Sequence, residues 1–375
     1  MPGLLPEIDP DGLLEFSVVF TDRSVNHMSQ KFQDVMVEIS STLKRVYNAA
    51  AVAIVPGGGT YGMEAVARQF GAGKKCLVVR NGFFSFRWTQ ILEMGSIASE
   101  HTVLQASRTS DAVDAPFAPM PIDEVCSAIR ADEPQIVFAP HVETSAGILL
   151  PDDYLRAIAD ATHDVGGLFV LDCIASGALW VDMRAIGVDV LISAPQKGWS
   201  ASPCSALVML SPNARKAIEE TTSTSFAADL KKWLHIMETY ENGGHAYHAT
   251  MPTDALIRFR DAMRETELYG LEKLRGQQIE LGARIRKLLS ERGIKSVAAD
   301  GFQAPGVIVS YTSDNNIQTG KAFVEVGLQI AAGVPLQCDE GDDFKSFRLG
   351  LFGLEKLKNI DRTVETLETA LNKVC

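Results

Sequence analysis

Short apolar runs of strand length recur between amphipathic stretches of helix length, and no other feature limits the fold of this chain so strongly. Residues 51–55, 75–79, 135–139, 168–171 and 188–193 are near-continuous apolar runs. Residues 61–70, 83–94 and 152–165 between them read as helices, the last with Pro151 near its first turn. Residues 29–47 come first, with Phe32, Val35, Met36, Ile39, Leu43 and Val46 at helical spacing. Strands without polar alternation, separated by helices, predict a mostly parallel sheet covered on both faces, an α/β fold. Residues 206–210 follow the run 188–193 after a short turn, which suggests an antiparallel strand. The pattern changes near residue 268. A long charged helix over about 270–292 precedes short strands at 295–298 and 306–309, a helix at 319–326, a strand at 346–351 and a terminal helix at 354–373. The expected division is an N-terminal arm (1–24), a large domain (25–267) and a smaller C-terminal α+β domain (268–375).

The 375 residues are 46% hydrophobic and 22% charged, enough to bury a large core. The net charge of -12, with no strong basic run, argues against nucleic acid as a partner. Cys76, Cys126, Cys173, Cys204, Cys338 and Cys375 are scattered without a CxxC pair, so neither a disulfide framework nor a zinc site is expected. No apolar run reaches membrane-spanning length, and no basic segment followed by an apolar core opens the chain. A reducing cytoplasm is the expected location.

The strand 188–193 runs into Gln196 and Lys197, so one amine stands at the carboxyl edge of the sheet, where open α/β folds bind ligands. A lysine there can be desolvated and form a Schiff base. Asp172 ends the run 168–171 and can pair with a protonated pyridine nitrogen. Together they suggest pyridoxal phosphate (PLP), whose ring takes up the electrons released when a Cα bond breaks. Gly57, Gly58, Gly59, Thr60, Tyr61 and Gly62 lie between a strand and a helix, a setting that suits the cofactor phosphate. Gly57, Gly59 and Gly62 also match the glycines of a dinucleotide fingerprint. Arg80 and Asn81 stand about where its acidic residue belongs, which weakens a nicotinamide reading.

Phe84, just after the next strand, can stack on a flat heterocycle or belong to the core. Thr144 can bond the cofactor phenolate oxygen or simply form a turn. Tyr247 and Thr250 offer hydroxyls before Pro252, beside His248, which by itself reads as structural. Arg348 can grip a substrate carboxylate with two parallel hydrogen bonds or belong to a structural ion pair. No Ser-His-Asp motif, HExxH or Walker loop is present.

In this order the motifs resemble the class V aminotransferases of PLP fold-type I, above all the alanine/serine–glyoxylate and 2-aminoethylphosphonate–pyruvate branch. The resemblance spans roughly residues 25–370. It is carried by the glycine-rich turn leading to Met63, Glu64 and Ala65, and by Glu143, Thr144, Ser145, Ala146 and Gly147. Asp172 with Ser176, Gln196 with Lys197, Tyr247 to Thr250, and Arg348 to Gly350 complete it. It implies an aminotransferase working by ping-pong between a small amino donor and a 2-oxo acid, pyruvate or glyoxylate. Lys197 would hold the cofactor and shuttle the proton, and Asp172 would bind the pyridinium. Gly58, Gly59 and Thr60 would cradle the phosphate, with Gln196 and Ser176 also at the cofactor. Phe84 would stack on the ring, Thr144 would face the phenolate oxygen and Arg348 would bind the substrate carboxylate. Tyr247 and Thr250 would reach the phosphate of a partner subunit, which requires a homodimer.

The chain also departs from the family pattern. The Thr-Pro-Gly-Pro-like segment that lines the substrate pocket is absent from residues 15–22, Gly58 replaces a common Ser, and Phe84 replaces a common Trp. Trp199, just after the lysine, is expected to narrow the pocket. The alternative on the same fold is a PLP-dependent lyase, including a cysteine desulfurase-like enzyme, or an epimerase. Desulfurase-like relatives carry a His before the lysine, here Gln196, and a nucleophilic Cys on a loop, where Cys338 lies. A non-enzymatic binding protein on this scaffold would not need the complete Asp172/Lys197 pair.

Overall fold

The structure, a computed structural model, describes residues 13–374. Half of the expected N-terminal arm, residues 1–12, and Cys375 lie outside the described residues. Seven strands form the central sheet: β1 (Ala51–Pro56), β2 (Lys75–Arg80), β3 (Glu100–Gln105), β4 (Ile136–Pro140), β5 (Leu168–Asp172), β6 (Val190–Ser193) and β7 (Ser205–Leu210). Their spatial order is β1-β7-β6-β5-β4-β2-β3. β7 pairs antiparallel with both β1 and β6, as the short turn before it predicts, and the other pairings are parallel.

Every residue of β4, β6 and β7 is buried, as expected of strands covered on both faces. The cover comes from α1 (Gln30–Tyr47), α2 (Gly59–Phe70), α3 (Phe83–Met94), α4 (Ile122–Asp132), α5 (Asp152–Asp164), α6 (Leu230–Glu241) and α7 (Thr253–Tyr269). Ser29 caps α1, its hydroxyl accepting from the Phe32 amide, and Phe32, Val35, Met36, Ile39 and Leu43 on one face enter the core.

Beyond α8 (Leu271–Ser290), the strands β8 (Val307–Tyr311), β9 (Ala331–Ala332) and β10 (Ser346–Gly350) form an antiparallel sheet of order β8-β10-β9. The terminal helix α9 (Ile360–Val374) and α8 pack a second core around Leu274, Leu281, Ile285, Phe347 and Leu371. Among the described residues no helix is long and apolar enough to cross a membrane.

Several expectations need correction. The run 295–298 is not a strand but a pair of isolated bridges, Ala298 to Phe117 and Ser296 to Ser310. The helix expected at 354–373 breaks at Asn359, whose backbone (φ -133°, ψ 57°) leaves the helical region. The helix expected at 319–326 shortens to Lys321–Glu325. β3 was missed because it is an edge strand of mixed polarity, with Leu104 its one buried residue.

Candidate active site

The carboxyl ends of the parallel strands bring the candidate residues together. Asp172 lies beside Ile192 in the β5–β6 ladder, and the Cys173 amide donates to the Ile192 carbonyl at 2.8 Å. The chain reaches Lys197 five residues further on. Its turn is held by an Ala201 amide bond to the Pro195 carbonyl (3.1 Å) and by Ser200, whose hydroxyl accepts from the Leu354 amide at 3.0 Å. Only glycine fits at position 198, where a Cβ would stand 2.1 Å from the Gly177 carbonyl oxygen. That close approach locks the lysine turn against the turn that follows Asp172.

Asp172 is buried, and its Oδ1 accepts from the Ile174 amide at 2.9 Å. Burial pushes its carboxyl up to about 7. The Ile174 hydrogen bond opposes this, the Glu143 charge adds to it, and Arg87 and Lys197 pull it back. The Lys197 amine is held below the ordinary lysine range by burial first and by the Arg348 charge second, with Asp172 opposing. Its Nζ stands 4.9 Å from the centre of the Phe352 ring.

The glycine turn crosses the same edge. A Cβ on Gly59 would meet Ile174 Cδ1 at 2.4 Å, so α2 begins directly against the residue that binds Asp172, while Gly58 faces open space. The exposed Thr60 hydroxyl accepts from Arg87 Nη1 at 2.8 Å. The Phe84 ring has two guanidiniums near it, Arg87 at 5.2 Å and Arg348 at 5.5 Å from its centre. Arg348 Nε donates to the Ala332 carbonyl at 2.7 Å, and burial lowers the guanidinium pKa. The Gln196 Oε1 atom is buried and has no protein partner.

Glu143 anchors this edge. It is fully buried and accepts from the amides of Phe84 (3.2 Å), Ser85 (2.9 Å) and Ser145 (3.0 Å) and from the hydroxyls of Ser85 and Ser145. Its carboxylate thus caps α3, where the helix favours negative charge. Thr144, half-buried, sits on the turn beside it.

Sequence reasoning gave no role to Glu143 or Arg87. Arg87 lies three residues after Phe84, on the same side of α3, and that spacing was the available signal. Ser176 is buried with its Oγ 2.7 Å from His141 Nδ1. Tyr247 and Thr250 have no described contact with these residues: their hydroxyls are 3.2 Å from each other on the surface, and the Tyr247 ring stands 5.6 Å from His27. His248 Nε2 lies 2.7 Å from the Phe226 carbonyl, a structural contact. Trp199 does not narrow the pocket. It is fully buried against Tyr47, Trp180 and Phe259, because the turn after Lys197 aims it into the core. Cys338 is buried, its thiol pushed up to about 12 by burial, and its Sγ contacts the Arg80 carbonyl, a poor setting for a nucleophile.

These residues fit PLP. The buried Asp172 carboxylate calls for a cationic partner, the open Gly58 turn at a helix N-terminus for an anion, and the desolvated amine for an aldehyde. The unpartnered Gln196 Oε1 leaves a buried acceptor for a donor on the ligand.

The comparisons agree with this chemistry. A sequence profile of the family Aminotransferase class-V matches residues 15–333. Alanine–glyoxylate aminotransferase of Rattus norvegicus is 24% identical over 93% of this chain and 82% of its own length. A chain named soluble hydrogenase, small subunit, from Synechococcus sp. (strain PCC 6716) is 25% identical over 92% and 87% respectively. The relatives' names therefore vary. Among solved structures, an alanine–glyoxylate aminotransferase from Nostoc sp. superimposes with a TM-score of 0.77 at 22% identity, covering 92% of this chain and 89% of that one.

Proposed function

This chain belongs to the class-V aminotransferase family, and from that premise we propose that it moves an amino group from a small amino donor to pyruvate or glyoxylate in two half-reactions. It is a PLP-dependent aminotransferase; the proposal concerns its substrates and the duties of its residues. The observation that carries those duties is the pairing of Asp172 with Ile192 on adjacent parallel strands, five residues before Lys197.

PLP, when bound, supplies an electron sink for the charge left at the donor Cα. Lys197 holds the cofactor and carries the proton. Its lowered pKa supports this, because more of the amine is in the neutral, basic form near neutral pH. Asp172 holds the ring nitrogen and keeps it protonated. Gly58, Gly59, Thr60 and Gln196 bind the phosphate, Phe84 covers the ring, Thr144 bonds its phenolate oxygen, and Ser176 steadies the turn after Asp172. Arg348 takes the substrate carboxylate; only its Nε has a described hydrogen bond, to Ala332, which leaves the two terminal nitrogens for a bidentate grip.

Tyr247 and Thr250 act in the site of a second subunit, so the working unit is a homodimer. Their surface position, with no described contact to Lys197 in their own chain, supports this. The large domain ends near residue 267, a division supported by one core that ends at Met263 and a second built mainly from residues 274–371, with a smaller core joining Phe117 and Ile148 to Val297 and Val309 across it. The buried free cysteines suit a reducing cytoplasm. Glyoxylate as acceptor draws support from the names of the Rattus and Nostoc relatives.

The test is an absorbance titration of PLP-loaded protein with a panel of amino donors, no acceptor being present. The cofactor band should shift with the true donor and return when pyruvate or glyoxylate is added. A band that stays while ammonia or sulfide is released would refute transamination, and a Lys197→Ala protein with an unchanged cofactor spectrum would refute the role of the lysine.

A further inference from the structure

A second concave site lies behind the lysine turn. It is a cleft of about 680 Å³ between the start of α5, the segment 179–186 and one stripe of α8. That volume falls within the range of about 300–1,000 Å³ usual for small-molecule pockets. The α8 stripe carries Arg275, Ile279 and Arg286, spaced four and seven residues apart, so all three face the cleft. Arg156 enters from α5, and Leu179 and Trp180 form an apolar wall.

The guanidiniums form no close ion pair, although the Asp300 charge acts on Arg286. Among the described residues, Arg156, Arg275 and Arg286 make no ion pair with a carboxylate, although the chain carries a net charge of -12. Arg156 Nε donates to the Ala185 carbonyl at 3.4 Å, and Arg286 Nη2 to the Ala304 carbonyl at 2.5 Å. Arg286 Nη1 is buried with no acceptor at all. An unmet buried donor on a charged group is costly, and an anionic oxygen would satisfy it. Two carboxylates stand on the rim. Asp182 is engaged in capping the Ala185 amide (2.9 Å), and Asp152 opens α5. His141 on the floor is neutral, held down to about 4 by burial and by the Arg275 charge, with Nδ1 against Ser176.

We propose that this cleft binds a small organic anion, its carboxylate or phosphate-ester group held by the unmet Arg286 Nη1 and its apolar body laid against Trp180, Leu179 and Ile279, with Arg275 and Arg156 supplying further positive charge along the cleft. The site is separate from the catalytic one, since neither Lys197 nor Arg348 lines it. It is nonetheless in contact with the lysine turn. Trp180 packs on Trp199 with ring centres 4.7 Å apart, and a Cβ on Gly198 would stand 3.4 Å from the Trp180 ring.

The test is calorimetric titration of PLP-loaded protein with phenyl phosphate, with benzoate and with inorganic phosphate. One of the two aromatic anions should bind at one site per chain, more tightly than inorganic phosphate. Arg275→Glu and Arg286→Gln should each weaken it about tenfold or more, while Arg348→Gln leaves it unchanged. Arg275 is exposed, so its substitution reports on binding even if Arg286→Gln fails to fold. Saturable binding that survives Arg275→Glu, binding lost only in Arg348→Gln, or no binding of any of the three at millimolar concentration would overturn the proposal.

Discussion

Burial sets the behaviour of Asp172 before any ligand arrives. A carboxyl raised to about 7 in the folded protein, against about 4 in the unfolded chain, binds its proton more tightly when folded. The cofactor-free protein should therefore lose stability as pH rises from about 4 through about 7. Asp172→Asn removes the ionisation, so the variant should gain on wild type as pH rises. Thermal unfolding of both cofactor-free proteins at pH 5 and pH 8 checks this; an equal difference at the two values would mean that Asp172 does not titrate in this range. The same change should weaken PLP binding at least about tenfold, because a charge-assisted bond is lost. The polarity of this residue was legible in the sequence, since a carboxylate ending an apolar strand must find a partner. Trp199 was not. Whether a large ring beside a site residue points into the pocket or the core depends on the turn, and here Gly198 and Gly177 decide it.

At the scale of elements, the first turn of α3 hangs on one carboxylate. Glu143→Gln replaces an acceptor-only group with one that also presents donors, facing the amides of Phe84, Ser85 and Ser145. We expect a loss of about 2–4 kcal/mol in urea denaturation, for two or more buried donors left unmet. A change under about 0.5 kcal/mol would mean that the cap is not needed. The helix itself was readable at both ends, Phe83 to Met94, from its apolar spacing. Its cap was not, because the capping group comes from 59 residues away along the chain, counted from Phe84 to Glu143. Strands buried on both faces announced themselves as apolar runs. β3, half-exposed at an edge, did not, and Asn359 cut a terminal helix whose periodicity continues past it.

At the scale of the whole molecule, the proposed dimer makes Lys197 of one subunit depend on Tyr247 and Thr250 of the other. Mixed dimers of Lys197→Ala and Tyr247→Phe/Thr250→Val chains should contain one site free of all three substitutions. They should recover up to about a quarter to a half of wild-type activity per dimer, well above either parent. If mixing restores nothing, each site is built from a single chain. The order of elements made the architecture legible, but an incomplete sheet edge or a remote hydroxyl has no sequence signature of its own.

The antiparallel strand β7 has a consequence for how the chain is made. β1 pairs with β7 alone, Ala51 opposite Leu210, so this buried edge strand has no partner until about 150 residues after its own synthesis. At roughly 5–20 residues per second the wait on the ribosome is of the order of ten to thirty seconds. Throughout it, the apolar run must be shielded by α1 or by a chaperone. The strand that completes the lysine turn is therefore also the one that closes the sheet, and both are finished in the same moment of synthesis.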